Sequence, residues 1–181
     1  MHTSLDGFVT DKNGGMEWIK VDDQMFDYTG KLTDDADAAL YGRNTYGMME
    51  AYWPTAAETP NPSKHTLDHS RWYNKVPKIV LSRTMKNPKP GVQVVNDDLA
   101  AEIQKIKAKP GKNIVIFGSP SAGHSLTQLN LIDDYWLFVN PVLLGGGIPM
   151  FKNIPDQTKL KLVESKVFDS GVIAMHYTVE R

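Results

Sequence analysis

Three times in this chain a short apolar run stops at residues able to hold an anion, and twice a helical pattern opens directly behind them. The runs are Leu40-Tyr41 before Gly42-Arg43-Asn44-Thr45, Val80-Leu81 before Ser82-Arg83, and Ile114–Phe117 before Gly118-Ser119. Ile114-Val115-Ile116-Phe117 is apolar at every position, as expected of a strand covered on both faces. Covered strands that alternate with helices build α/β layers, and ligands of open α/β sheets bind at the strands' C-terminal ends.

The rest of the chain fits that architecture. Phe8–Thr10 reads as a strand closed by the turn Asp11-Lys12-Asn13-Gly14-Gly15. Met25, Tyr28 and Leu32 recur at helical spacing behind the acidic pair Asp22-Asp23, which suits a helix N-terminus. Ala38–Tyr41 is a strand, and a helix runs from Arg43 to about Met49. Trp53–Ser63, with its prolines, reads as a loop, and His65–Asn74 as a short helix. Lys78–Leu81 and Val92–Val95 are strands, and Leu99, Ile103 and Ile106 mark a helix that stops before Pro110-Gly111. Pro120 suits the first turn of a helix reaching about Leu131. Asp133–Val139, Lys159–Phe168 and Val172–Glu180 are strands, the last two joined by the hairpin signal Asp169-Ser170-Gly171. No repeat or linker interrupts residues 1–181, so one domain is expected. Only Met1-His2-Thr3 precede Ser4-Leu5-Asp6-Gly7, fewer residues than an ordinary first core strand, which points to a short first strand or an upstream start.

Composition removes several function classes. The formal net charge of −1 gives no electrostatic footprint for nucleic acid or an anionic membrane. The apolar runs are too short to span a bilayer, and no secretory leader is apparent. The absence of cysteine excludes disulfides, a thiol nucleophile and thiolate metal sites, and a cytoplasmic location is expected. Five histidines form no ligand pattern, so no metal is expected.

Each strand end offers phosphate chemistry of its own kind. Gly42 permits close backbone approach, a helix N-terminus supplies free amides, and Arg43 and Thr45 add charge and a hydroxyl. Ser82 with Arg83 pairs a hydroxyl with a guanidinium, a combination suited to a sugar phosphate. At Gly118-Ser119 small residues let a pyrophosphate approach the following helix. Gly145-Gly146-Gly147 lacks the spacing of a dinucleotide fingerprint. Asp6, between Leu5 and Gly7, is a carboxylate poorly explained by packing and a candidate to orient an acceptor or relay its proton.

Ser4-Leu5-Asp6-Gly7, Trp18, Gly42-Arg43-Asn44-Thr45-Tyr46, Tyr52-Trp53-Pro54, Leu81-Ser82-Arg83-Thr84, Ile116-Phe117-Gly118-Ser119, Leu131-Ile132-Asp133-Asp134 and Asn140–Phe151 resemble, in order, the C-terminal reductase domain of riboflavin-biosynthesis deaminase-reductases. The resemblance implies a dihydrofolate-reductase-like, three-layer α/β fold: a mixed, mostly parallel sheet of about eight strands with a C-terminal antiparallel hairpin. It implies NADPH as cofactor. Gly42, Arg43 and Thr45 would meet its phosphates, Ser82 and Arg83 its 2′-phosphate, and Gly118 and Ser119 its pyrophosphate. Ser119 departs from the family's second glycine. Asp6 lies at the substrate-side turn, and Asp23 follows Trp18 at the spacing of the buried acid in dihydrofolate reductases.

The expected function is therefore NADPH-dependent reduction of a small heterocyclic or sugar-derived substrate, by resemblance 5-amino-6-(5-phosphoribosylamino)uracil. Dihydrofolate or pterin reduction and non-catalytic nucleotide binding stand as alternatives. A homodimer is expected, because the family commonly associates and Pro141–Phe151 is very apolar for a solvated loop.

Overall fold

The computed structural model describes residues 1–181. In chain order its elements are β1 (His2–Ser4), α1 (Asp23–Asp34), β2 (Ala36–Gly42), α2 (Arg43–Tyr52), a 3-10 turn (Ala56–Glu58), α3 (Lys64–Lys75), β3 (Lys78–Leu81), β4 (Val92–Val95), α4 (Leu99–Lys107), β5 (Asn113–Ile116), α5 (Pro120–Gln128), β6 (Asp134–Asn140), β7 (Leu160–Val167) and β8 (Ile173–Val179). They form two compact units, Asp23–Ser119 and a discontinuous one made of Met1–Asp22 with Pro120–Arg181. The eight strands divide into two sheets of four.

In the continuous unit the strand order is β4-β3-β2-β5, and every pairing is parallel. All four C-terminal ends therefore line one edge. The central strands are apolar because helices cover them: Leu40, Tyr41, Ile79 and Val80 are buried. Helices start where the side chains allow. Ser63 Oγ accepts from Thr66 N at 3.1 Å ahead of α3, and Asp98 accepts from Ala101 N at 3.3 Å ahead of α4. Lys105 and Lys107 in the last turn of α4 oppose its dipole.

The discontinuous unit has the order β1-β6-β8-β7, with β1 and β6 parallel and the other pairs antiparallel. The C-terminal hairpin forms as expected: Gly171 adopts φ +82° and Phe168 N donates to Val172 O at 2.9 Å. The first strand is His2–Ser4, not Phe8–Thr10. Three residues suffice because the whole of β1 pairs with β6, His2 opposite Phe138 through Ser4 opposite Asn140. Phe8 makes only a single bridge, to Pro149. Helix α5 stops at Gln128, short of Leu131. Asn130, at φ +53°, turns the chain into the left-handed region and Leu131 N returns to Leu126 O at 2.9 Å.

Candidate cofactor cradle and the Asp6 turn

All seven residues proposed from sequence for phosphate binding lie in the continuous unit, and its topology brings them together. Gly42 pairs with Leu81, the residue before Ser82, and Leu40 pairs with Ile116, two residues before Gly118. The ends of β3, β2 and β5 are thus neighbours on one edge. Helix α2 opens there with no side-chain cap, because Gly42 is its N-cap residue. Its first amides are left without an intrahelical partner. Arg43 is exposed at its first position, and its Nη1 donates to Thr84 Oγ1 at 3.1 Å, which ties α2 to the turn after β3.

That turn is built by Ser82. Its Oγ accepts from Thr84 N at 3.2 Å and Met85 N at 3.0 Å, leaving the hydroxyl proton to donate outward. Arg83 stands exposed beside it.

Gly118 and Ser119 both occupy the left-handed region, at φ +62° and +58°. Glycine tolerates this freely, whereas for serine it costs on the order of 1 kcal/mol. Ser119 is buried, and its Oγ accepts from Gly42 N at 3.0 Å. A net hydrogen bond contributes about 0.5–1.5 kcal/mol, enough to offset the strain. The serine side chain is buried and its oxygen fixes Gly42 N, so it acts through β2. A Cβ built on Gly118 would find its nearest neighbour, Thr45 Cγ2, at 3.6 Å, so the glycine keeps the approach beside Thr45 clear. An uncapped helix start, two arginines, a serine hydroxyl and a bare glycine backbone fit a dinucleotide carrying an additional phosphate.

Behind the edge, β5 runs into Phe117, whose ring contacts His69 at 5.4 Å and Trp72 at 5.7 Å between centroids. Trp53 lies 4.1 Å from His69, and burial pushes the His69 ring down to about 4. His65 and His69, spaced to share a helix face, are stacked among aromatic rings.

Asp6 belongs to the other unit. Its carboxylate accepts from Ser4 Oγ at 2.6 Å, Gly145 N at 2.8 Å and Leu144 N at 3.1 Å. The Ser4 hydroxyl first, then the Gly145 amide, pull its carboxyl down to about 2. Asp6 is thus ionised at neutral pH and cannot supply a proton there; it anchors the glycine-rich loop. Asp6→Asn is expected to slow turnover by loosening this loop while leaving the neutral pH–rate profile in place. An acid limb that disappeared in the variant would instead show Asp6 to be the proton donor. Because its folded pKa is depressed, the anchor stabilises above the ordinary aspartate range and is lost as pH falls from about 4 towards 2.

Asp23 is not a buried acid. It is exposed at the first position of α1, where the helix dipole rather than an apolar pocket accounts for it.

Two residues of the resembling segments carry parts that the sequence did not assign to them. Thr84, which holds Arg43, has no local pattern to mark it. Asn140 is fully buried; its Oδ1 accepts from Lys20 N at 2.9 Å and its Nδ2 donates to Phe138 O at 3.0 Å and Thr3 O at 3.3 Å. An asparagine closing the apolar run Tyr135–Val139 was the available signal.

The family model described as the RibD C-terminal domain matches residues 1–174. YyaP of Bacillus subtilis (strain 168), an uncharacterised protein, is 34% identical over 176 residues, covering 96% of this chain and 89% of YyaP. A protein of Shewanella sp. PV-4 assigned to riboflavin biosynthesis superposes with a TM-score of 0.74 at 26% identity, over 100% of this chain and 97% of its own. Dihydrofolate reductase from Enterococcus faecalis shares the fold, with a TM-score of 0.63 at 16% identity over 99% of this chain and 94% of that one. The α/β, dihydrofolate-reductase-like class expected from sequence is the class observed.

Proposed function

Because this chain belongs to the RibD C-terminal domain family, we propose that it is an NADPH-dependent reductase of a small heterocyclic or sugar-derived substrate, of the kind represented by 5-amino-6-(5-phosphoribosylamino)uracil. The observation that carries this reading is the edge where β2, β3 and β5 end side by side at an uncapped helix, with Arg43, Ser82 and Arg83 around it. When bound, NADPH supplies a hydride, and the protein's task is binding and orientation.

Each residue has a separate part. The amides at the start of α2, with Arg43 and Thr45, neutralise the bridging phosphates, and Gly118 lets them approach the backbone. Ser119 holds Gly42 in place. The Ser82 hydroxyl and the Arg83 guanidinium take the 2′-phosphate as a charged, multiply hydrogen-bonded anion. Asp6 keeps its loop in register.

The enzyme is proposed to act as a cytoplasmic homodimer, with residues 1–181 folding as one domain, since the family match crosses both units. No helix is long and apolar enough to cross a membrane. The direct test follows NADPH oxidation with a panel of pyrimidine and pterin acceptors. Turnover of a ribosylaminopyrimidine is the expected result. Turnover of pterins alone would move the substrate assignment to folates, and NADPH binding without any turnover would replace catalysis with nucleotide binding.

A further inference from the structure

Six aromatic side chains meet behind the cofactor edge and have no part in holding the phosphates. Helix α3 carries three of them on one face, His65, His69 and Trp72, at i, i+4 and i+7. Phe26 joins them from α1, Trp53 from the residue after α2, and Phe117 from the end of β5. His69 is the hub: its ring lies 4.1 Å from Trp53, 5.2 Å from Trp72, 5.4 Å from Phe117 and 5.5 Å from His65 between centroids. Phe26 stacks on His65 at 4.0 Å and 11°. Phe117 immediately precedes Gly118, so the cluster adjoins the cradle on the same edge.

The cluster is not ordinary core. Tyr41 and Tyr73 belong to the buried core against which Trp53, Trp72 and Phe117 pack, whereas all six rings of the cluster are only half-buried. Its polar atoms are unevenly used. Trp53 Nε1 donates to Met49 Sδ at 3.1 Å and Trp72 Nε1 to Ala36 O at 3.4 Å. Neither imidazole forms a hydrogen bond within the chain, and their nitrogens keep contact with solvent. Burial holds both rings below the ordinary histidine range, His69 at about 4, so both are uncharged at neutral pH. The nearest cations on α3, Lys64 and Arg71, turn away to Asp68 at 2.7 and 3.3 Å.

We propose that this aromatic box is the subsite for an uncharged, planar heteroaromatic ring of the substrate, with Trp53 and His69 as its specificity-determining residues. The inference rests on the reductase reading above and deepens it. Aromatic faces stack on any flat ring, which accounts for six of them left half-covered. A neutral imidazole offers one donor and one acceptor, the complement of the amide-like edge of a pyrimidine or pteridine. An aliphatic substrate would leave those nitrogens unpaired, and a phosphate would meet no cation there. The ring therefore enters the box and any ribosyl phosphate stays outside it.

The test is calorimetric titration of the whole chain with 5,6-diaminouracil and with pterin, each with and without saturating NADPH, using ribose 5-phosphate as a competitor. Wild type is expected to bind both rings, and ribose 5-phosphate should not displace them. Trp53→Leu removes a stacking face and should weaken both rings about five- to a hundredfold. His69→Phe keeps the packing and removes the nitrogens, so it should weaken them about two- to tenfold. Trp136→Phe, in the other unit where Trp136 stacks on His176, should bind as wild type does. Circular dichroism and NADPH binding report whether each variant is folded; if Trp53→Leu is not, His69→Phe decides. A wild type that binds neither ring at millimolar concentration overturns the proposal. So do ring affinities unchanged in both variants, or displacement by ribose 5-phosphate, which would make the site a phosphate site. NADPH binding without ring binding rejects the box alone, whereas ring binding without NADPH binding rejects the cofactor reading and leaves the box standing.

Discussion

Arg83→Ala is expected to weaken NADPH binding about ten- to a hundredfold and to leave NADH nearly unaffected, the range set by losing one charge-assisted hydrogen bond of about 1.5–3 kcal/mol. The two cofactors differ in the 2′-phosphate, and Arg83 stands at the end of β3 beside a serine whose hydroxyl proton is uncommitted. Arg43 is the internal control. It sits at the first position of α2, at the end of the neighbouring strand β2, where the helix amides face phosphates common to both cofactors, so Arg43→Ala should weaken both together. Titration of each variant with each cofactor by fluorescence or calorimetry gives the four affinities. Equal losses for NADPH and NADH in Arg83→Ala would make Arg83 a general anion contact and dissolve the proposed preference.

A larger effect on stability is expected at Gly147. Its φ is +137°, and an added Cβ would lie 1.9 Å from the Thr10 carbonyl oxygen and 2.9 Å from that of Asp11. Both obstacles are backbone, so no rotamer change relieves them. The chain must move, and the bonds it carries are those that hold the loop to residues 7–10: Val9 N to Ile148 O at 2.8 Å, Met150 N to Gly7 O at 2.8 Å and Ile148 N to Thr10 Oγ1 at 3.2 Å. With about 1 kcal/mol per lost bond and a strained backbone besides, Gly147→Ala should cost about 3 kcal/mol or more. In a chain of this length that lowers Tm by roughly 6–12 °C. Gly145→Ala provides the contrast. Gly145, at φ +66°, has nothing within 4 Å of its added Cβ, and only the left-handed cost of about 1 kcal/mol applies. Urea unfolding of both variants checks the difference, and a Gly147→Ala protein as stable as wild type would contradict the loop geometry.

What was legible in the sequence was whatever a short window encodes. Lys78–Leu81 and Val92–Val95 are observed with the bounds read from their apolar runs, because a strand between helices must be apolar along its length. The strand ends were legible for the same reason: Gly42, Ser82 and Gly118 stand where an apolar pattern breaks. His2–Ser4 was not, since it contains no large apolar residue, and its strand character comes from pairing with β6. The Ser119–Gly42 bond spans 77 positions and the Asp6–Leu144 bond 138. No local pattern encodes such contacts. Ser119 could be recognised as a departure from glycine, while its answer to the left-handed strain lay in a strand far away in the chain. Asp6 was singled out as a carboxylate without a packing reason, and its reason proved to be the nearby Ser4 hydroxyl together with two amides of the distant glycine-rich loop.

The discontinuity of one unit sets a timetable for synthesis. Residues 23–119 are contiguous, so every strand of the β4-β3-β2-β5 sheet is available once that stretch has left the ribosome. β1 is made first, yet its parallel partner β6 begins at Asp134. At about 5–20 residues per second the first strand waits on the order of ten seconds without its neighbour. A long-range parallel pairing of this kind is intrinsically slow to close. The segment that carries Asp6 is therefore made before either sheet can close and is among the last to find its place, because its anchor at Leu144-Gly145 is made well over a hundred residues later.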